Sequence, residues 1–135
     1  MWVNICYLQL PFLEIILNIE SMENKEGLIW YNGNLIDWKD AKLHVLTHGL
    51  HYASSVFEGE RSYSGRIFKL HEHTERLFFS ASELDFEIPY TIEEIKAACY
   101  LTLEKNNLVD AYIRPIAWRG AETVGVSAQS TKIHC

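Results

Sequence analysis

Three kinds of signal are scarce in this chain, and each scarcity excludes something. Cysteine appears three times, as Cys6, Cys99 and Cys135, with no CxxC pair. That odd, scattered set indicates neither a disulfide frame nor a zinc ribbon, and free thiols fit a reducing, cytoplasmic setting. Basic residues are outnumbered: twelve Lys and Arg against eighteen Asp and Glu leave a formal charge of −6. Nucleic-acid binding needs clustered cations to displace counterions, and the densest basic stretch here, Arg114 to Arg119, is broken by Pro115 and Trp118. No nucleic-acid partner is expected.

Uninterrupted apolar runs are also short. The opening MWVNICYLQLPFLEIILNIES is apolar, but Asn4, Gln9, Pro11 and Glu14 break it too early for a membrane span. It lacks the basic start and small-residue cleavage site of a secretory signal. Residues 1–21 read as an extension ahead of a natural start at Met22, with a disordered or interfacial segment as the alternative; no membrane partner is expected.

What is present suits one packed domain. The chain has 135 residues, 48% of them hydrophobic, with six Phe, four Trp and seven Tyr, enough for a single core. GLIWYNGNLIDW sets two apolar runs around Asn32-Gly33, a strong hairpin signal. SVFEGERSY, Ser64-Gly65 and RIFKL predict a second hairpin, its first arm opposing Val56 and Glu58 to Phe57 and Gly59. HEHTERLFFSASELDF predicts a helix burying Leu77, Phe78, Ala81 and Leu84, with Pro89 beyond its end. TIEEIKAACYLTLEKNN predicts another, with Thr91 and Glu94 at capping-box spacing and Ile92, Ile95, Cys99, Thr102 and Leu103 inward. AYIRPIAWRG reads as a strand in which Pro115 hints at an edge or a bulge. This order of elements predicts an α+β fold. VSAQSTKIHC looks like the start of a further strand, so the domain is expected to be incomplete at its C-terminal end.

Several residues invite a chemical role. His44, His48 and His51 would share a helix face and could hold a metal, but Gly49 and the β-branched residues of KLHVLTHGLHY argue against a helix, and no carboxylate stands at ligand spacing. Loop histidines are the simpler reading, and no metal site is expected. Ser54 and Ser55 lack a nucleophile elbow, and no glycine-rich phosphate loop is present. Arg76 has two readings: an exposed pair with Glu72 at helical spacing, or a two-point phosphate anchor. Tyr112 and Arg114 share one face of AYIRP by alternation and could hold a carboxylate or form a satisfied polar rim.

Taken together, WYNGNLIDWKDAKLHVLTHGLHYASSVFEGERSY, FKLHEHTERL, KNNLVDAYIRP and WRGAETVGVSAQ, in this order and spacing, resemble the N-terminal domain of branched-chain amino-acid aminotransferases. These belong to the fold type IV class of pyridoxal-phosphate enzymes, and the resemblance covers essentially all of residues 27–134. It implies a small domain over residues 22–135, an antiparallel sheet with two packed helices. It implies pyridoxal 5'-phosphate as cofactor, with Arg76 gripping the phosphate. It implies substrate walls at Phe57 and Gly59, a carboxylate-receiving pair at Tyr112 and Arg114, and a contribution from Tyr52 and Val126 across a dimer interface. Arg61 is expected to be structural, a partner of nearby acids or carbonyls.

The implied partners are small amino acids and 2-oxo acids, with Leu, Ile and Val exchanging an amino group with 2-oxoglutarate, in a homo-oligomer. FEGER with AYIRP favours this group over a D-amino acid aminotransferase or a lyase. In the family, the cofactor-holding lysine and the glutamate that meets the ring nitrogen belong to a second, larger domain. Lys25, Lys39, Lys42, Lys69, Lys96, Lys105 and Lys132 match no catalytic motif. No catalytic residue is therefore assigned here, and little or no activity is expected of the chain alone. The alternative is a non-catalytic module, or the product of a gene fragment, that associates with itself or with a full-length aminotransferase.

Overall fold

A computed structural model describes residues 25–135, so the N-terminal extension lies outside the described residues. The first hairpin forms as the sequence predicts. Strands β1 (Leu28–Tyr31) and β2 (Asn34–Asp37) pair antiparallel, Tyr31 against Asn34. Asn32 and Gly33 both take positive φ, 49° and 90°, the turn that matches the twist of the strands and that asparagine and glycine tolerate best. A 3-10 turn, Trp38–Asp40, follows.

The next segment corrects one expectation. KLHVLTHGLHY does contain a helix, the single turn α1 (His48–Tyr52), ended by Ala53 in the left-handed region. Its support is tertiary. The His48 N–H donates to the Gly120 carbonyl at 2.9 Å, and Arg119 N–H donates to the Ser54 carbonyl at 3.0 Å. A side chain at Gly49 would press on Ser54 O at 3.3 Å and on Trp118 Cβ at 3.4 Å.

SVFEGERSY is not one continuous arm. It divides into β3 (Ser55–Phe57) and β4 (Glu60–Tyr63), while AYIRPIAWRG divides into β6 (Ala111–Ile113) and β7 (Ile116–Arg119). Phe57 pairs with Ile116 and Glu60 with Ile113. The register is therefore unchanged across the break, with Glu58 opposite Pro115 and Gly59 opposite Arg114. Pro115 causes the interruption because it has no N–H to give the ladder; its carbonyl still accepts from Glu58 N–H at 3.0 Å. Pro115 thus marks no bulge but a junction between two sheets, just past β6, which is an edge strand of its own sheet. One sheet has the order β3-β7-β8, with β8 spanning Ile133–His134; the other has the order β5-β4-β6. β5 (Arg66–Ile67) returns from the Ser64-Gly65 turn.

Two long helices cover the inner side. α2 (Leu70–Glu83) buries Leu70, Thr74, Leu77 and Ala81, with Leu84 left exposed just past its end. α3 (Ile92–Lys105) buries Ile95, Ala98, Cys99 and Leu103. Its predicted capping box is complete: Thr91 Oγ1 accepts from Glu94 N–H, and Glu94 accepts from Thr91 N–H. Asn106 at its C-terminal end bonds both backbone groups of Leu28, tying α3 to β1. The core runs from Val56 and Ile67 through Leu77 and Ile95 to Ala117.

Candidate functional site

The interrupted ribbon of residues 55–63 alternates strictly. Val56, Glu58, Glu60 and Ser62 turn inward, while Phe57, Gly59, Arg61 and Tyr63 turn outward, the period of two that a strand imposes. The break carries two different groups on its two faces.

The outward face gathers four of the sequence-predicted residues. The Arg114 guanidinium lies 4.7 Å over the Phe57 ring and 5.4 Å from the Tyr112 ring centre. Arg114 Nη2 donates to Tyr112 Oη at 3.2 Å. Gly59 makes this closeness possible: a Cβ there would stand 2.5 Å from the Tyr112 hydroxyl, so any side chain would displace the phenol. Phe57 and Tyr112 are about half exposed. The patch offers an aromatic wall, a phenol and a cation, with the guanidinium resting on two rings in cation–π contact. The Arg61 guanidinium lies over the Tyr63 ring, 5.8 Å from its centre, and among the described residues this aromatic contact stands in place of the expected acid or carbonyl.

The inward face meets α2. Glu58 is buried, and Arg76 grips it at two points, Nε to Oε1 at 2.7 Å and Nη2 to Oε2 at 2.6 Å. Arg76 is therefore not the partner of Glu72, which Lys69 takes instead. His73 Nδ1 lies 2.8 Å from Glu58 Oε2. An ionised carboxylate only accepts, so the network assigns the proton to Nδ1. The Arg76 hydrogen bonds, against the opposing effect of burial and with help from His73, hold the Glu58 carboxyl below its usual range. The Arg76 side chain keeps 63% of its surface exposed, and Nη1 makes no hydrogen bond among the described residues. The guanidinium has five N–H donors and Glu58 takes two, which leaves a free edge of the shape that a phosphate accepts. The residues present fit that group.

Glu60, two residues on, has the opposite surroundings. It is 1% exposed, and neither carboxyl oxygen has a hydrogen-bond partner among the described residues. Burial pushes its pKa up to about 7, with Glu58 adding to the rise and His73 opposing it. Burial also raises the Cys99 and Cys135 thiols to about 12, so neither thiol is poised as a nucleophile.

Tyr52 and Val126 belong to a second group, near α1. Tyr52 leans on His48 with ring centres 4.6 Å apart. His48 Nδ1 pairs with Ser54 Oγ at 2.6 Å, and Nε2 lies 3.3 Å from the Val126 carbonyl. His48 is thus a buried linker, while His51 bonds the Val45 carbonyl. A cavity of about 620 Å³ opens elsewhere, its lining including Trp30, Leu77, Ile95 and Leu103, with Tyr112 and Arg114 also on it. It is mainly apolar and does not include the Arg76 cluster. Lys39, Lys69, Lys96 and Lys105 are each paired with a neighbouring carboxylate.

Sequence reasoning missed Glu58, His73 and Glu60. The alternation of SVFEGERSY was the available signal, since it turns two carboxylates toward a helix that carries His73 and Arg76.

Residues 55–135 match the family described as Amino-transferase class IV. A probable branched-chain-amino-acid aminotransferase of Rickettsia bellii is 51% identical over 107 residues, covering 79% of this chain and 37% of that protein. The crystal structure of the Escherichia coli branched-chain amino acid aminotransferase superposes with a TM-score of 0.77 at 40% identity, over 82% of this chain and 38% of that one. A branched-chain aminotransferase of the archaeon Thermoproteus uzoniensis, solved with norvaline, gives 0.76 at 33% identity over 82% and 39%. Another enzyme of the same name, solved in complex with N-(5'-phosphopyridoxyl)-L-glutamate, gives 0.75 at 41% identity over 82% and 40%. This chain thus spans little more than a third of the proteins it resembles. Its α+β architecture is that of the fold type IV enzymes, and the chain belongs to the class IV aminotransferase family.

Proposed function

We propose that this chain contributes the phosphate grip and part of the substrate wall of a branched-chain amino-acid aminotransferase. Pyridoxal phosphate is the cofactor, and Leu, Ile or Val with 2-oxoglutarate are the substrates. The observation that carries this reading is Arg76, fixed on one edge by Glu58 and open on the other. When bound, the cofactor supplies an electron sink that makes loss of the substrate's α-proton accessible. Arg76 would hold its phosphate. Phe57 and Gly59 would line the side-chain pocket, accepting methyl groups, and Tyr112 and Arg114 would receive a carboxylate, including the distal one of glutamate. Tyr52 and Val126 would complete a pocket across a dimer. No lysine of this chain is assigned to the chemistry.

Mixing the purified chain with pyridoxal phosphate, leucine and 2-oxoglutarate should yield no glutamate. Turnover abolished by replacing one of its own lysines would overturn the assignment. A second reading, self-association or docking on a full-length aminotransferase, is favoured by the exposed Leu43, Val45, Leu50, Val124 and Val126, since bare apolar surface favours association. Sedimentation as a dilute monomer would count against it.

A further inference from the structure

Glu58 stands between Phe57 and Gly59 in sequence but faces away from both, into the α2 layer. A buried carboxylate there costs desolvation unless it is paired. It has two partners, both from α2: Arg76 at two points and His73 at one. We infer that Glu58 is a positioning residue for the phosphate grip. It takes the Nε/Nη2 edge of Arg76, holds the guanidinium plane, and leaves the Nη1 end and the outer Nη2 proton for an anion. The inference rests on the reading of Arg76 as that grip.

Three observations support orientation over competition. The bond is side-on, so the edge that Glu58 occupies is not the one that carries Nη1. An arginine side chain that is 63% exposed would otherwise sample many rotamers, and fixing it beforehand removes an entropy cost from binding. The electrostatics also leave net attraction. An anion on the free edge would sit about 4 Å from the guanidinium and roughly twice as far from the carboxylate, so attraction exceeds repulsion about twofold before screening. His73, whose Nδ1 lies 3.2 Å from Arg76 Nη2, is a second donor to Glu58 and not an acceptor from Arg76. It braces the carboxylate from the other side.

The test uses the full 135-residue chain, titrated with inorganic phosphate, pyridoxal phosphate and pyridoxal, following the Arg76 Nε–Hε resonance by NMR. In the unmodified chain both phosphates should shift that resonance and pyridoxal should not. Glu58→Ala should weaken binding of both phosphates at least tenfold. It should have no effect in an Arg76→Lys background, where there is no guanidinium to orient and binding is followed by the backbone amides of residues 57–59. Glu58→Gln, which keeps the shape and one acceptor, should lose less, and it carries the test if circular dichroism finds Glu58→Ala unfolded. Phosphate that shifts Arg76 in the unmodified chain but binds Glu58→Ala equally or more tightly would overturn the positioning role and leave the phosphate site standing. Phosphate that leaves the Arg76 resonance unmoved would overturn both.

Discussion

Glu58 and Glu60 lie two residues apart on the same inward face of one ribbon, and they are two different chemical objects. Glu58 faces His73 and Arg76, is held ionised, and anchors an arginine whose outer edge is open. Glu60 faces the packed interior between β4 and the helices, finds no partner among the described residues, and is pushed toward neutrality at about pH 7. Both are buried, so burial alone does not determine a carboxylate's state. The difference lies in what α2 presents: polar His73 and Arg76 against Glu58, apolar Leu77 nearer the core. The first surroundings make a candidate site, and the second make a weak point in the fold.

The largest effect should come from Glu60. An acid whose folded-state pKa lies above its ordinary 4.5 binds a proton in the folded protein that the unfolded chain has already released. Stability should therefore fall as pH rises from about 4.5 to about 7, by about 3 kcal/mol, and stay low above that. Glu60→Gln should flatten this part of the profile and raise the melting temperature at about pH 8. Denaturant unfolding from about pH 4.5 to about pH 8 checks it, and equal slopes for the two proteins would break the comparison.

Glu58 should respond with the opposite sign. Its depressed pKa means that its contribution is present above the ordinary carboxylate value and is lost as pH falls through its folded-state value. Glu58→Gln should cost about 1 kcal/mol at about pH 7, because the partner Arg76 is largely solvated, and less near pH ~3. A cap elsewhere supplies a reference of similar size: Thr91→Ala should cost about 1 kcal/mol through loss of the capping box, independent of both carboxylates. The smallest effect on stability should be that of Gly59→Ala on the outward face, under about 1 kcal/mol. The added methyl should nonetheless move the Tyr112 phenol and break its bond with Arg114, visible as a shift of the Tyr112 ring resonances.

Local signals made much of this fold readable. Asn32-Gly33 and Ser64-Gly65 have the backbone freedom that tight hairpins need, and Thr91 with Glu94 caps a helix without help from elsewhere. Pairing across the chain was less accessible. Pro115 announced an irregularity, but that the ladder would keep its register and split between two sheets depends on both strands at once. α1 is held by Gly120 and Arg119, far along the chain, so its own sequence could not announce it. The same applies to the site. Alternation alone pairs Tyr112 with Arg114 and Phe57 with Gly59, the family resemblance supplies their substrate roles, and the fold brings all four onto one face. The partner of Arg76 lies eighteen residues earlier, beyond helical spacing, whereas helical spacing alone points to Glu72.

A residue-by-residue NMR map of the full chain on addition of pyridoxal phosphate decides whether Arg76 and Glu58 form a phosphate grip. Shifts are expected at Arg76, Glu58 and the 57–59 backbone, while Glu60 and Cys99 stay unmoved. Shifts confined to the core around Glu60, or none at Arg76 at saturating ligand, would contradict that grip.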